Sequence, residues 1–198
     1  MAKNRPLVVV IAGPNGAGKS TTAPSLLRDA LQVSEFVNAD AIAGGLSAFR
    51  PDTVAIPAGR AMLVRMQQLA EANMNFAFET TLASRTFAPW LARLKGRGYH
   101  VHVLFLWLDS ANLAVNRVAG RVRRGGHDVP EQTVRRQYER GLRNFFNLYV
   151  PRADSWQMFD NSSAGRPRLI ASGQGERAER VADASPWRRI SEVNREQN

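Results

Sequence analysis

Residues 13–20 read Gly-Pro-Asn-Gly-Ala-Gly-Lys-Ser and follow directly on the apolar run at 7–12. This is G-x-x-x-x-G-K-[ST] set between a predicted strand and a predicted helix, and few folds accommodate it. Gly13, Gly16 and Gly18 let the main chain curl until successive N–H groups point into one concavity, where a phosphate chain fits at the start of the helix. The expected nucleotide-binding segment is therefore Gly13, Pro14, Asn15, Gly16, Ala17, Gly18, Lys19, Ser20 and Thr21. Within it Lys19 is placed to reach the β- and γ-phosphates of ATP, and the Ser20 hydroxyl to ligate Mg²⁺. The competing reading is a glycine-rich turn of no special function; the strand before and the helix after the motif favour the phosphate loop.

Strand and helix signals alternate through most of the chain. Strands are predicted at 6–12, 35–38, 76–79, 99–108 and 156–159, with a paired strand at 168–171. Helices are predicted at 18–31, 40–48, 53–73, 86–96, 110–124 and 130–149. Pro24 is read as lying near a first turn, where proline costs least. Ala58, Met62, Met66, Leu69 and Ala72 recur at helical spacing. The alternation predicts an α/β fold of the P-loop NTPase type: three layers, a mainly parallel central sheet and helices on both faces. One domain over 1–198 is expected, its core at about 6–171, with a polar C-terminal extension at 173–198 that holds one terminal helix near 184–193. No cysteine is present, which removes disulfides, thiol nucleophiles and cysteine metal sites from consideration. No apolar run reaches a membrane span and no signal-peptide core is visible, so a cytoplasmic protein with no membrane partner is expected.

The formal net charge is +10, from 27 Lys plus Arg against 17 Asp plus Glu, and nearly all the cations are arginine. Genomic base composition alone can produce such a bias. The functional alternative is an anionic substrate, because arginine grips phosphate oxygens through a bidentate fork. Nucleic acid also suits the charge, but no alternation of aromatic and basic residues supports it.

In an open parallel sheet, ligands sit beyond the carboxyl ends of the strands. The second strand ends at Asp40 and the third at Glu79. Phosphoryl transfer needs a carboxylate to orient or deprotonate the attacking hydroxyl, and another to support metal or substrate. Asp40 is assigned the first role and Glu79 the second. Asp40 reads equally as the N-cap of the next helix, and Glu79 as a solvated loop carboxylate. Arg117, Arg121 and Arg124 share one helix face, and Arg136, Arg140 and Arg143 repeat the spacing on the next helix. Between them lies Arg124-Gly125-Gly126-His127-Asp128-Val129-Pro130, a glycine hinge suited to a lid. Arg121, Arg124 and Arg136 are selected as phosphate contacts that stabilise charge on the transferred group; a solvated cationic face is the alternative. His127 reads as a loop hydrogen-bonding residue.

Taken together, the phosphate loop, Asn38-Ala39-Asp40, Glu79-Thr80-Thr81-Leu82, Gly98-Tyr99 and Arg-Val-x-x-Gly-Gly-His-x-Val-Pro resemble the zeta toxin family of P-loop kinases over roughly residues 6–171. The resemblance implies a fold related to adenylate kinase and chloramphenicol phosphotransferase, with ATP and Mg²⁺ as cofactors. It also implies phosphorylation of the aminosugar hydroxyl of UDP-N-acetylglucosamine. Lys19 and Ser20 match the nucleotide and metal residues, Asp40 the catalytic aspartate, and Glu79 a substrate-site glutamate; any antitoxin is then a separate chain. An antibiotic or other small-molecule kinase, a nucleotide-dependent nucleic-acid-binding ATPase, and a nucleotide-gated interaction module stand as alternatives.

Overall fold

The computed structural model describes residues 5–196; positions 1–4 and 197–198 of the expected domain lie outside the described residues. Seven strands form one sheet: β1 (Leu7–Ala12), β2 (Glu35–Val37), β3 (Phe76–Thr80), β4 (His100–Trp107), β5 (Ser155–Asp160), β6 (Arg168–Gln174) and β7 (Arg177–Val181). Their order is β2-β3-β1-β4-β5-β6-β7. The first five are mutually parallel, and β6 and β7 add antiparallel at one edge. The helices are α1 (Lys19–Pro24), α2 (Ala39–Leu46), α3 (Ala55–Glu71), α4 (Phe87–Gly96), α5 (Ala111–Val122), α6 (Glu131–Asn144) and α7 (Ala184–Glu196). This is the α/β P-loop NTPase fold that the alternation predicts.

Both faces of the sheet are covered, which explains why β1 is apolar without alternation: Val8, Val9, Val10 and Ile11 are all fully buried. Val8 and Val10 face a large core completed by Met62, Met66 and Leu69 of α3, Leu91 and Leu94 of α4, and Phe145 and Tyr149. Val9 and Ile11 face the opposite side, against Ala23 and Leu27. A third cluster joins Ala17, Leu106, Leu108, Ala114, Val118 and Val134. It fixes α5 and α6 beside the phosphate loop.

Three local readings need correction. Pro24 is not in the first turn. It is the sixth residue of α1, and the helix widens into π-type turns over Ser25–Ala30, because proline brings no N–H to the ladder. In α3 the buried residue near the end is Ala70, and Ala72 is exposed at the C-cap. From residue 173 on, the described chain holds strands as well as the expected terminal helix. It completes β6, forms the exposed edge strand β7 and returns as α7, whose Trp187 stacks on Trp156 with ring centroids 5.8 Å apart.

Candidate active site

The phosphate loop is shaped by its glycines and held from outside. Gly16 and Gly18 sit at φ 79° and 78°, a region that penalises any side chain. Gly13 (φ 140°) packs so closely on the Leu106 carbonyl that a Cβ would collide with it. Three side chains brace the loop; Asn161 and Gln137 carry no sequence signal, and Arg117 stands in the arginine face but is not among the selected phosphate contacts. Asn161 donates from Nδ2 to the Ala17 carbonyl at 2.7 Å. Arg117 donates to the Asn161 and Ser162 carbonyls at 2.7 and 2.8 Å, tying α5 to the end of β5. Gln137 of α6 accepts from Asn15 Nδ2 at 2.6 Å.

Lys19 opens α1 and is buried, its side chain only 6% exposed. Burial pulls its pKa below the usual lysine range, while Glu79 and then Asp40 oppose that pull. Its Nζ donates to the Pro14 carbonyl at 3.0 Å and lies 3.6 Å from Glu79. The register of β1 against β3 places Glu79 beside Ile11, one residue short of the end of β1. There Glu79 accepts from the Ser20 hydroxyl at 2.8 Å and from Asn38 Nδ2 at 2.7 Å. It is not a solvated loop carboxylate. Ser20 and Glu79 supply hard oxygen donors side by side, and with phosphate oxygens they fit the coordination Mg²⁺ requires.

The cap question at α2 is also settled. Asn38, not Asp40, is the N-cap: its side-chain oxygen accepts from the Asp40 and Ala41 amides at 2.8 and 3.1 Å. Capping therefore makes no demand on the Asp40 carboxylate, which is exposed and lines the cavities described below.

The arginines divide. Arg121 and Arg124 line the cavity above the phosphate loop, together with Arg117. Nε and Nη2 of Arg121 are buried with no hydrogen-bond partner, an expense that a bound anion removes. The α5 helix ends where the Gly125 and Gly126 amides donate back to the Val122 and Arg121 carbonyls. Gly126 packs against the Arg121 stem; a Cβ there would lie 2.5 Å from Arg121 Cγ. Arg136 does not join this group. It is exposed on α6, its guanidinium 3.4 Å from the Thr133 hydroxyl, and Gln137 is the residue α6 presents to the cavity. The reason is rotational: one helical step turns the side chain by about 100°.

Two cavities meet over this cluster. The larger, about 580 Å³, contains Gly16, Gly18, Ser20, Thr21 and the three arginines. The other, about 320 Å³, is lined by Asn38, Thr80, Thr81, His127 and Gln137 among others. Asn15, Lys19, Asp40 and Glu79 belong to both. Among the described residues no cluster of three or more His, Asp or Glu is arranged to hold a metal. No described helix is long and apolar enough to cross a membrane.

Comparison with solved structures agrees on this architecture. The chain superposes on AvrRxo1-ORF1:-ORF2 with ATP at a TM-score of 0.72 and 15% identity, covering 94% of this chain and 64% of that one, so it spans under two thirds of that protein's length. It also matches the PezAT chromosomal toxin–antitoxin system of Streptococcus pneumoniae (TM-score 0.67, 14% identity), over 100% of this chain and 87% of that one. A gluconokinase from Sinorhizobium meliloti 1021 is a more distant match, with a TM-score of 0.50 and 15% identity over 80% and 84% of the two chains. At these identities the likeness is one of fold. In sequence, an uncharacterised Haemophilus influenzae protein is 28% identical over 130 residues, 66% of this chain and 91% of its own length. The model of the AAA domain family matches residues 8–145, most of the chain and every strand and helix that builds the two cavities, and this chain belongs to that family.

Proposed function

We propose that this protein is a kinase that transfers the γ-phosphoryl group of ATP to a hydroxyl of a small molecule. The observation that carries the reading is the junction of the two cavities, where one buried ammonium and two carboxylates face the same space. Lys19 holds the β- and γ-phosphates in the larger cavity. Ser20 and Glu79 would hold Mg²⁺, which when bound neutralises phosphate charge. Asp40 accepts the proton of the attacking hydroxyl as the new O–P bond forms and the bond to the β-phosphate oxygen breaks, leaving ADP. Arg121 and Arg124 stabilise the charge on the transferred group.

The zeta toxin resemblance makes UDP-N-acetylglucosamine the first acceptor to try, and the toxin–antitoxin system among the structural neighbours supports a separate antitoxin chain as partner. We place the protein in the cytoplasm, where ATP is available. The test is incubation with γ-labelled ATP and UDP-N-acetylglucosamine or other acceptors, followed by mass spectrometry of the products. Lys19→Ala should abolish transfer in folded protein. Asp40→Ala should reduce transfer far more than ATP binding; full turnover by that variant would remove Asp40 as the base.

A further inference from the structure

The groove keeps its arginines at one end. The arginines, Arg117, Arg121 and Arg124, line the nucleotide cavity. The acceptor cavity has none of these arginines; it shares Asp40, Glu79 and Asn15 with the nucleotide cavity and adds amides and hydroxyls from Asn38, Thr80, Thr81 and Gln137, and His127. Lys19 is its one lysine or arginine among the described residues; it sits at the junction, 3.6 Å from Glu79 and donating to the Pro14 carbonyl. Beyond Asp40 and His127 the groove continues into a third cavity of about 300 Å³, walled by Ala39, Ala43, Gly44, Pro51 and Ala55. Its wall is small and apolar, and Asp40 and His127 are its only titratable groups among the described residues that line it.

We infer, building on the kinase reading, that the acceptor is an uncharged polyhydroxyl compound with a compact apolar arm. An anionic acceptor would bring its phosphate or carboxylate against Asp40 and Glu79, with its counter-charges on the far side of the transferred phosphoryl group. Hydroxyl groups suit the same surroundings: they donate to the carboxylates and to amide oxygens, and accept from amide N–H groups. A site lined with such groups rewards each hydroxyl it pairs and discriminates against compounds that leave them unpaired. The apolar arm enters between α2 and the Pro51–Val54 turn, displacing water from alanine and proline surface. The inference runs against a sugar nucleotide and towards the free sugar or a polyol.

The experiment titrates matched pairs into the full chain saturated with a non-hydrolysable ATP analogue and Mg²⁺. The pairs are N-acetylglucosamine against UDP-N-acetylglucosamine, and glucitol against gluconate, read by calorimetry. The uncharged member of at least one pair should bind about tenfold tighter or better. Equal or tighter binding of the anionic members, or no binding of the uncharged ones, overturns the inference. Gly44→Arg adds a cation to the third cavity at a position where a Cβ meets nothing within 4 Å. It should raise the affinity of the anionic members about fivefold or more, and unchanged affinity removes that cavity from the acceptor site. Parallel incubation with γ-labelled ATP separates the two readings. Label transferred only to the anionic members sinks this inference and leaves the kinase standing. Label found only as free phosphate with every compound sinks the kinase reading itself.

Discussion

Replacing Glu79 by glutamine tests the centre of the site with little change of shape. Glu79 is 12% exposed and Lys19 6%, and they stand 3.6 Å apart. Glutamine keeps one side-chain oxygen to accept from Ser20 or Asn38, so most of what it removes is charge. Burial lowers the Lys19 pKa, and the Glu79 charge is the largest effect opposing it, followed by Asp40. Removing one partner of a buried pair typically costs about 3–5 kcal/mol, because the other charge is left uncompensated. Asp40 still attracts Lys19, which places the expected loss just below that range, at about 2–3 kcal/mol. With a urea slope of roughly 2 kcal/mol/M, the unfolding midpoint should fall by about 1 M. The Lys19→Met/Glu79→Gln double variant has neither charge and should recover about half of that loss or more. Function should respond in two directions. ATP without Mg²⁺ should bind tighter to Glu79→Gln, since no carboxylate opposes the phosphates, while turnover with Mg²⁺ drops about 100-fold. A urea midpoint within about 0.2 M of the parent, with unchanged turnover, would refute the argument.

Gly126→Ala should leave stability within about 1 kcal/mol but reduce turnover about tenfold or more, because the new methyl displaces the Arg121 stem. Equal turnover by this variant would mean that Arg121 does not act on the phosphates. Desolvation, and then the neighbouring His100, lower the His102 pKa from 6.5 to about 4. The unfolded chain therefore takes up a proton below pH 6.5 that the folded chain refuses until about pH 4, and stability falls across that window as pH drops, by about 3 kcal/mol from this residue. Denaturation curves at several pH values should show a shallower decline for His102→Gln, and parallel declines would contradict the assignment. Saturation with ATP and Mg²⁺ at about 100 times Kd should stabilise the fold by about 2.7 kcal/mol, a rise in Tm of roughly 5–10 °C. A thermal scan that moves by less than about 1 °C would count against nucleotide binding altogether.

What the sequence shows and hides follows from how far apart the interacting residues lie. The phosphate loop is legible because its glycines and Lys19 are consecutive and their geometry is local. Asp40 and Glu79 are legible through a rule about strand ends. That Glu79 meets Ser20 is not, because it depends on β3 pairing beside β1, a neighbour relation no local pattern encodes. The braces are hidden for the same reason: Asn161 reaches back 144 residues to Ala17, and Asn15 meets Gln137 across 122. Asparagine and glutamine carry no charge or periodicity to mark them. Charge alone points to Arg136, where the fold uses its neighbour Gln137. The core stripe through Val134 and Tyr138 already sets the rotation that aims residue 137 inward and residue 136 outward. The β7 strand escaped because an exposed edge strand needs no apolar alternation; its main chain pairs with β6 whatever its side chains are.

The energetics of the site argue for the same ligand as its shape. A fold selected for stability alone gains nothing by burying Lys19, whose charged form burial disfavours, or by leaving two nitrogens of Arg121 unpaired. Such perturbed groups gather where a protein acts rather than where it only holds together. Lys19 and Arg121 lie on one cavity, so a single ligand with several negative oxygens in a row can compensate both, which supports the proposed nucleotide. Glu79 stands in the meantime as the ammonium's partner through a carboxylate that also accepts from Ser20. On the proposed reading, a bound polyphosphate would give Lys19 new partners and leave Glu79 and Ser20 adjacent, with oxygens facing it. That is the arrangement in which a divalent cation becomes favourable. On the proposed kinase reading the order follows from charge balance: Glu79 opposes the burial of the Lys19 charge before a nucleotide binds, and would support the metal once it has.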